Sequence, residues 1–125
     1  MDARIVVEDI FGLRAGDANV MRNAGALASD DFIRSLVLSQ RVLGSNEVIV
    51  LGHTGCGLHG LPEAALSEEL SREAGSQDLP FGAFDDLDEH VRRQVQRIRG
   101  HPWVRRVPVH GLVYEVETGR LRDVG

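Results

Sequence analysis

The most informative stretch of the chain is residues 47–57, which read EVIVLGHTGCG. Four consecutive apolar residues, Val48–Leu51, predict a strand over Glu47–Leu51 that is buried on both faces, as in a parallel sheet covered by helices. The strand runs directly into a glycine-rich turn, Gly52–Gly57. In open α/β sheets ligands bind beyond the carboxyl ends of the strands, so this turn is the first place to expect a functional site.

The turn carries two side chains that can bind a metal, His53 and Cys56. An imidazole nitrogen and a thiolate sulfur are both good zinc ligands, and a short His-x-x-Cys loop can direct them to one ion. The glycines around them allow the backbone to turn tightly enough for this. Cys56 is the single cysteine, which excludes an internal disulfide and an all-cysteine zinc site within one chain.

Three other interpretations of the turn stay open on the residues alone. His53 and Cys56 could be a hydrogen-bonded structural histidine and a small buried apolar residue. Residues 55–60 also match G-x-G-x-x-G, but a dinucleotide site needs an acidic residue at the end of a second strand, and residues 72–78, REAGSQD, do not read as a strand. Cys56 could be an activated nucleophile, although no arginine occurs between Cys56 and Arg72 to hold a phosphate.

The rest of the chain alternates between helical and extended patterns. An extended run is predicted at Asn19–Arg22, followed by a helix that starts at Ser29-Asp30-Asp31, carries an apolar stripe from Phe32 to Leu43 and stops at Gly44. A second helix is predicted within Glu63–Glu73 and a loop at Gly75–Gly82, before a third helix that has Leu87, Val91, Val95 and Ile98 on one face and ends at Gly100-His101-Pro102. Two strands near Val109–Glu115 and Leu121–Val124, joined by a turn at Thr118-Gly119, complete the chain. His59 lies three residues beyond Cys56 and could line the site, although a position at the surface or at a helix start is favoured. His90, His101 and His110 lack a partner at ligand spacing and are predicted to be structural.

This order predicts an α/β fold with a mostly parallel sheet, flanking helices and an antiparallel C-terminal edge hairpin. We expect residues 1–125 to form a single domain. Asp2-Ala3-Arg4 reads like a loop that follows a strand, although only Met1 precedes it. We therefore expect the first strand, and with it part of the N-terminal region, to be missing.

Composition narrows the classes of function. The 125 residues are 42% apolar and 26% charged, and the net charge of −5 argues against a nucleic-acid partner, which normally needs a basic face. Arg92, Arg93, Arg97 and Arg99 recur at helical spacing behind four acidic residues, a pattern typical of a solvated helix face. No apolar run is long enough to cross a membrane, and no signal sequence opens the chain, so we expect a cytoplasmic protein without a membrane partner.

Several segments together resemble the beta-class carbonic anhydrases. The resemblance covers nearly the whole chain in the right order and rests on Met1-Asp2-Ala3-Arg4, Gly16-Asp17, Arg22-Asn23-Ala24-Gly25, Gly52-His53-Thr54-Gly55-Cys56-Gly57, and Val113-Tyr114-Glu115-Val116-Glu117-Thr118-Gly119 with Leu121. The first of these is similar to the end of the family's C-x-D-x-R motif, and the fourth to its G-H-x-x-C-G motif.

The resemblance implies a zinc ion held by two cysteines and one histidine, with water or the motif's aspartate in the fourth place. His53 and Cys56 match two of the ligands, and Asp2 and Arg4 match the Asp–Arg pair, in which Asp2 orients the nucleophile or, in a closed form, binds the metal itself. The first cysteine of the motif would stand immediately before Met1, and no residue of this sequence matches it.

The activity implied by the resemblance is the reversible hydration of carbon dioxide to bicarbonate and a proton, carried out by a homodimer or homotetramer. The alternatives are a hydrolase of COS or CS2 on the same scaffold, or a non-catalytic relative that lacks a complete zinc site. For the chain as it stands we expect weak zinc occupancy and little hydratase activity.

Overall fold

The computed structural model describes residues 1–125, which form four α-helices, one short 3-10 helix and three strands. The elements are α1 (Val7–Phe11), a 3-10 turn (Ala24–Ala26), α2 (Asp30–Arg41), β1 (Val48–His53), α3 (Glu63–Ala74), α4 (Leu87–Gly100), β2 (Val109–Glu115) and β3 (Arg120–Asp123). Each helix and strand beyond residue 28 was predicted from the sequence, with differences in the bounds of α2 and β1 that are described below. The short helix α1 has no buried residue and no clear apolar stripe, and the sequence does not reveal it.

The three strands form one mixed sheet in the order β1-β2-β3. Strands β1 and β2 are parallel, with Val48 opposite Val109 and His53 opposite Tyr114. Strands β2 and β3 are antiparallel and are joined by the predicted tight turn, where Gly119 has a φ of 73°. The predicted α/β class, with an antiparallel hairpin at the C-terminal edge, is confirmed.

Helix α4 covers one face of the sheet and forms the centre of the core. All four residues of its predicted apolar face, Leu87, Val91, Val95 and Ile98, are buried. They pack with inward-facing valines of β1 and β2 in one cluster of 13 buried residues. The helix begins at Asp86, whose carboxylate accepts a hydrogen bond from the backbone N–H of Glu89 at 2.9 Å.

Helix α2 confirms its predicted start and corrects its predicted end. The hydroxyl of Ser29 accepts a hydrogen bond from the backbone N–H of Phe32 at 3.2 Å, as expected of an N-cap. The helix ends at Arg41, however, and Leu43 is 67% exposed. The expectation that Leu43 belongs to the buried stripe was wrong, because the chain has already left the helix before it turns at Gly44, where φ is 80°.

Strand β1 is longer than predicted and is buried on one face only. It continues through Gly52 to His53, so the turn starts at Thr54. Val48 and Val50 are buried, whereas Ile49 is 44% exposed. The expectation of two buried faces was wrong, because Ile49 and Leu51 line an open cleft of about 580 Å³ between β1 and the chain that precedes α2.

The segment Asn19–Arg22 also departs from the pattern of a regular sheet strand. Its residues lie outside every helix and strand, and none of them makes a backbone–backbone hydrogen bond. No strand lies beside it, so this segment remains outside the sheet.

Other surfaces agree with the charge pattern of the sequence. The arginines of α4 are used within the chain: Arg97 pairs with Asp30 at 2.7 Å, and Arg92 and Arg93 lie near Glu89. No helix combines the length and the apolar character needed to cross a membrane.

The close contact of α4 with β1 predicts the effect of a single methyl group. A Cβ at Gly52 would lie 2.7 Å from Cγ2 of Val91 and 3.2 Å from Cδ1 of Leu87, which are buried and cannot easily move. We expect Gly52→Ala to lower the free energy of unfolding by about 1–3 kcal/mol, measured by urea denaturation. Gly57→Ala is the matched control, since a Cβ there meets nothing within 4 Å. Equal losses in the two variants would contradict this packing.

Candidate active site

The last residue of β1, His53, is held in one orientation by the turn that follows it. Its Nδ1 lies 2.9 Å from the carbonyl oxygen of Thr54, and its side chain is 12% exposed. Since that oxygen can only accept, Nδ1 carries the proton and donates it, and Nε2 keeps a free lone pair. A hydrogen bond on one ring nitrogen that fixes the other as a donor to a metal is the usual arrangement at metal-binding histidines.

The turn itself is fastened to the neighbouring strand by Thr54. Its backbone N–H donates to the carbonyl oxygen of Tyr114, and its hydroxyl accepts from the N–H of Val116, both at 3.0 Å. Gly55 then takes a left-handed conformation with a φ of 66°. Cys56 follows as a free thiol, half-buried and packed against the core.

Asp2 and Arg4 form a two-pronged ion pair at the edge of this turn. Oδ1 of Asp2 accepts from the backbone N–H and from Nε of Arg4, each at 2.9 Å, and Oδ2 accepts from Nη2 at 2.8 Å. The same Nη2 donates to the carbonyl oxygen of Gly55 at 3.0 Å. The pair is therefore attached to the turn, and Oδ2 of Asp2 lies 3.9 Å from Nε2 of His53.

These hydrogen bonds set the charge of Asp2. The side-chain and backbone donors of Arg4 hold the pKa of the Asp2 carboxyl well below its usual range. An aspartate is already an anion near neutrality, and the lowered pKa keeps Asp2 ionised to lower pH than usual. Asp2 can therefore accept hydrogen bonds but not supply a proton.

Arg22 stabilises the segment that carries Asp2, a role that the sequence alone did not predict. Its guanidinium donates to the carbonyl oxygens of Ile5 and Asp2, each at 2.7 Å, and so holds the chain around Asp2 in place. Thr54 is a second support that the residue pattern did not reveal. Both lie inside stretches already singled out, but only the fold shows which backbone groups they bind.

The donors present have the chemistry of a zinc site without forming a complete one. Nε2 of His53 and the thiol of Cys56 are borderline and soft ligands that suit zinc. No group of three or more His, Cys, Asp or Glu side chains converges in a geometry that could hold a metal. Oδ2 of Asp2, the nearest further oxygen, is already bound by Arg4. The residues therefore fit zinc as two of the four donors that a tetrahedral site needs.

The other histidines have structural partners away from this turn. Nε2 of His90 lies 2.7 Å from the carbonyl oxygen of Gly25, and its ring stacks on Phe84; burial lowers the pKa of His90. The ring of His59 also stacks on Phe84, and its Nε2 lies 2.9 Å from the carbonyl oxygen of Asp85. The dinucleotide interpretation of the turn also fails, because residues 72–78 form the end of α3 and a loop, not a strand.

Comparison with known proteins decides the family. The sequence model of the family described as carbonic anhydrase matches residues 1–78. Beta-carbonic anhydrase 1 of Mycobacterium tuberculosis is 38% identical over 126 residues, which cover 99% of this chain and 77% of that protein. The chain belongs to the beta-class carbonic anhydrase family.

Solved structures give the same result. The carbonic anhydrase of Streptococcus mutans superposes with a TM-score of 0.93 at 39% identity, covering 100% of this chain and 77% of that one. The carbonic anhydrase of Glaciozyma antarctica gives 0.91 at 37% identity, covering 100% and 78%. A carbon disulfide hydrolase of Acidithiobacillus thiooxidans is also similar, 37% identical over 145 residues that cover 98% of this chain and 72% of that protein.

The Asp2–Arg4 pair predicts a specific titration. Arg4→Gln removes the donors that depress the pKa of Asp2, so we expect that pKa to rise toward its ordinary value of 3.8. Because the folded-state pKa of Asp2 lies below its unfolded value, the stability that the pair contributes is present above about pH 4 and is lost as the pH falls. The measurement is a 13C NMR titration of the Asp2 carboxyl carbon.

Arg14→Gln serves as the control for this titration, since no hydrogen bond or ion pair involves its guanidinium. An Asp2 carboxyl that titrates alike in both variants would show that Arg4 does not set its charge.

Proposed function

We propose that this protein is a zinc-dependent carbonic anhydrase that hydrates carbon dioxide reversibly to bicarbonate and a proton. The observation that carries the proposal is the attachment of the Asp2–Arg4 ion pair to the turn that presents His53 and Cys56. Membership of the beta-class carbonic anhydrase family supports it.

Hydration of carbon dioxide needs a strong nucleophile, because the substrate is uncharged and weakly electrophilic. Bound zinc would supply one by lowering the pKa of water to about 7. His53, through Nε2, and Cys56, through its thiolate, are the residues of this chain that would hold the ion.

Asp2 is the group that would direct the nucleophile. The Asp2 carboxylate does not take up a proton near neutrality, so it can only accept a hydrogen bond. A water molecule that donates a hydrogen bond to this carboxylate has its lone pair directed away from it, toward the substrate. Arg4 fixes the direction of the carboxylate through its two-pronged contact. Arg4 is in this respect a positioning residue for Asp2.

The surroundings of His53 suit an apolar substrate. His53 is one of the residues that line the open cleft, and Leu27, Phe84 and Leu87 are among the apolar ones. An uncharged molecule such as carbon dioxide loses little solvation free energy when it enters an apolar cleft, whereas the charged product loses much more and is disfavoured there. Carbon disulfide is equally uncharged, and a carbon disulfide hydrolase is among the similar proteins. Hydrolysis of CS2 or COS on this scaffold is therefore the second candidate, and a non-catalytic role is the third.

Zinc binding tests the ligand assignment directly. We expect His53→Ala and Cys56→Ala each to abolish measurable zinc binding, because each removes one of only two suitable donors in the turn. His101→Ala, at the far end of α4, is the matched control and should bind zinc as the unchanged chain does. Metal analysis after dialysis, with a chelating dye as competitor, gives the affinities.

For the unchanged 125-residue chain we expect binding well below one zinc per chain, because only two donors are positioned. Zinc retained by either alanine variant would refute the ligand assignment, whereas tight binding near one zinc per chain by the unchanged chain would contradict the expectation of weak occupancy.

Turnover tests the substrate and the role of Asp2. With zinc supplied, we expect hydration of carbon dioxide, followed with a pH indicator by stopped flow, to exceed hydrolysis of COS or CS2 under matched conditions. Asp2→Asn should lower kcat/KM by about 10²-fold while zinc affinity is unchanged, since the amide can donate a hydrogen bond to the nucleophile instead of accepting one.

Asp31→Asn, at an exposed carboxylate of α2, is the control and should have no effect. A larger rate with CS2 would move the proposal to the second candidate, and no turnover of any substrate by zinc-loaded protein would favour the non-catalytic role.

A further inference from the structure

The chain that follows Cys56 is rich in glycine and gains little rigidity from its own residues. Gly57 and Gly60 lie within four residues of the thiol, and a Cβ at either position would meet nothing within 4 Å. Glycine loses more conformational freedom on folding than any other residue, so such a segment stays in place only where other parts of the chain hold it. A metal ligand carried on this segment therefore needs support on both sides.

Hydrogen bonds fasten the chain both before and after Cys56. Before it, Thr54 is bound to the neighbouring strand through its N–H and its hydroxyl. After it, the carbonyl oxygen of Leu58 accepts from the backbone N–H of Phe84 at 3.1 Å, and the carbonyl oxygen of Phe84 accepts from the N–H of Gly60 at 2.8 Å. Phe84 belongs to residues 81–85, which we call the strap.

His59 adds further contacts between the strap and this segment. Its ring stacks on that of Phe84, with 5.5 Å between the ring centroids, and its Nε2 lies 2.9 Å from the carbonyl oxygen of Asp85. Its backbone N–H donates to the carbonyl oxygen of Cys56 at 3.1 Å. The strap is therefore connected to Cys56 through His59 as well as through Leu58.

The strap is itself held by the carboxylate of Glu63, the first residue of α3. Oε1 of Glu63 accepts from the backbone N–H of Phe81 at 2.5 Å and lies 3.4 Å from the nitrogen of Gly82, and Oε2 accepts from the N–H of Ala83 at 2.8 Å. These backbone donors lower the pKa of the Glu63 carboxyl, so the ionised form is the one that binds the strap. Three consecutive amides thus converge on one side chain.

The loop that leads into the strap gives it no support. Residues 75–80 are exposed and lie outside every helix and strand. At the other end, Phe84 is buried and its ring stacks on that of His90, so the core fixes this part of the strap. Glu63 is consequently the contact at which the exposed loop becomes a fixed segment.

We propose that Glu63 is a positioning residue for Cys56, because by binding the strap it fixes the segment after the thiol and so holds Cys56 in place relative to His53. The inference rests on the zinc-binding role proposed for Cys56 and adds a support to that site. Groups outside the ligand set that orient a metal ligand commonly change metal affinity by about 10- to 100-fold when they are removed.

The first test measures the reaction of the Cys56 thiol with N-ethylmaleimide in the folded, metal-free chain, so that it does not depend on catalysis. Glu63→Gln replaces one acceptor oxygen by an amide nitrogen that cannot accept. We expect this variant to be labelled about tenfold faster, because the turn opens more often when the strap is loose. Hydrogen exchange at the amides of Phe81, Ala83 and Gly60 should become faster in the same variant.

Two control variants separate positioning from a loss of charge and from a loss of stability. Glu69→Gln removes the same charge from an exposed position of α3. Val109→Ala truncates a buried side chain at the start of β2, at the opposite end of the strand from Tyr114, and so lowers stability away from the turn. Without denaturant, we expect both variants to be labelled at the rate of the unchanged chain.

The second test measures zinc affinity through the protection that zinc gives the thiol against labelling. We expect Glu63→Gln to need about tenfold more zinc than the unchanged chain for half-maximal protection, and Glu69→Gln to need the same amount.

Labelling of Glu63→Gln at the rate of Glu69→Gln would overturn the proposal. Equal acceleration in Val109→Ala would also overturn it, since Glu63 would then act only through overall stability. Zinc that gives no protection to the unchanged chain would instead refute Cys56 as a ligand, while the metal-free rates would still decide whether Glu63 positions the thiol.

Discussion

The guanidinium of Arg4 joins the two halves of the candidate site. It binds the carboxylate of Asp2, two residues away, and the carbonyl oxygen of Gly55, 51 residues away. This contact fixes the loop at residues 2–4 against the turn that follows β1 and lowers the pKa of the Asp2 carboxyl. The role proposed for Asp2 depends on the first effect, because an acceptor can orient a nucleophile only when it is itself held in place.

The fold delivers the turn to Arg4 through the packing of α4 on β1. Gly52 lets Val91 and Leu87 approach the strand closely, and the parallel pairing of β1 with β2 brings Tyr114 and Val116 to the position where Thr54 can bind them. His53 therefore leaves the sheet at a fixed point with one ring nitrogen already engaged. The core is thus part of the reason that the second nitrogen is available to a metal.

The open side of β1 bears on the same site. Its unpaired backbone groups end at His53, and the opposite wall of the cleft ends at Arg22, which binds the carbonyl oxygen of Asp2.

Sequence alone determined those features that depend on local chemistry. Residue types at fixed spacing predict the glycine turn, the cap at Ser29, the apolar face of α4 and the C-terminal hairpin. The same kind of pattern identifies His53 and Cys56, because a histidine and a cysteine three residues apart in a tight turn can bind one zinc ion. Tertiary structure decided what depends on distant segments. It alone shows that Arg4 reaches Gly55, that Ile49 lines a cleft instead of a covered face, and that Ala18–Arg22 stays outside the sheet, because a strand is buried or paired only when another part of the chain lies against it.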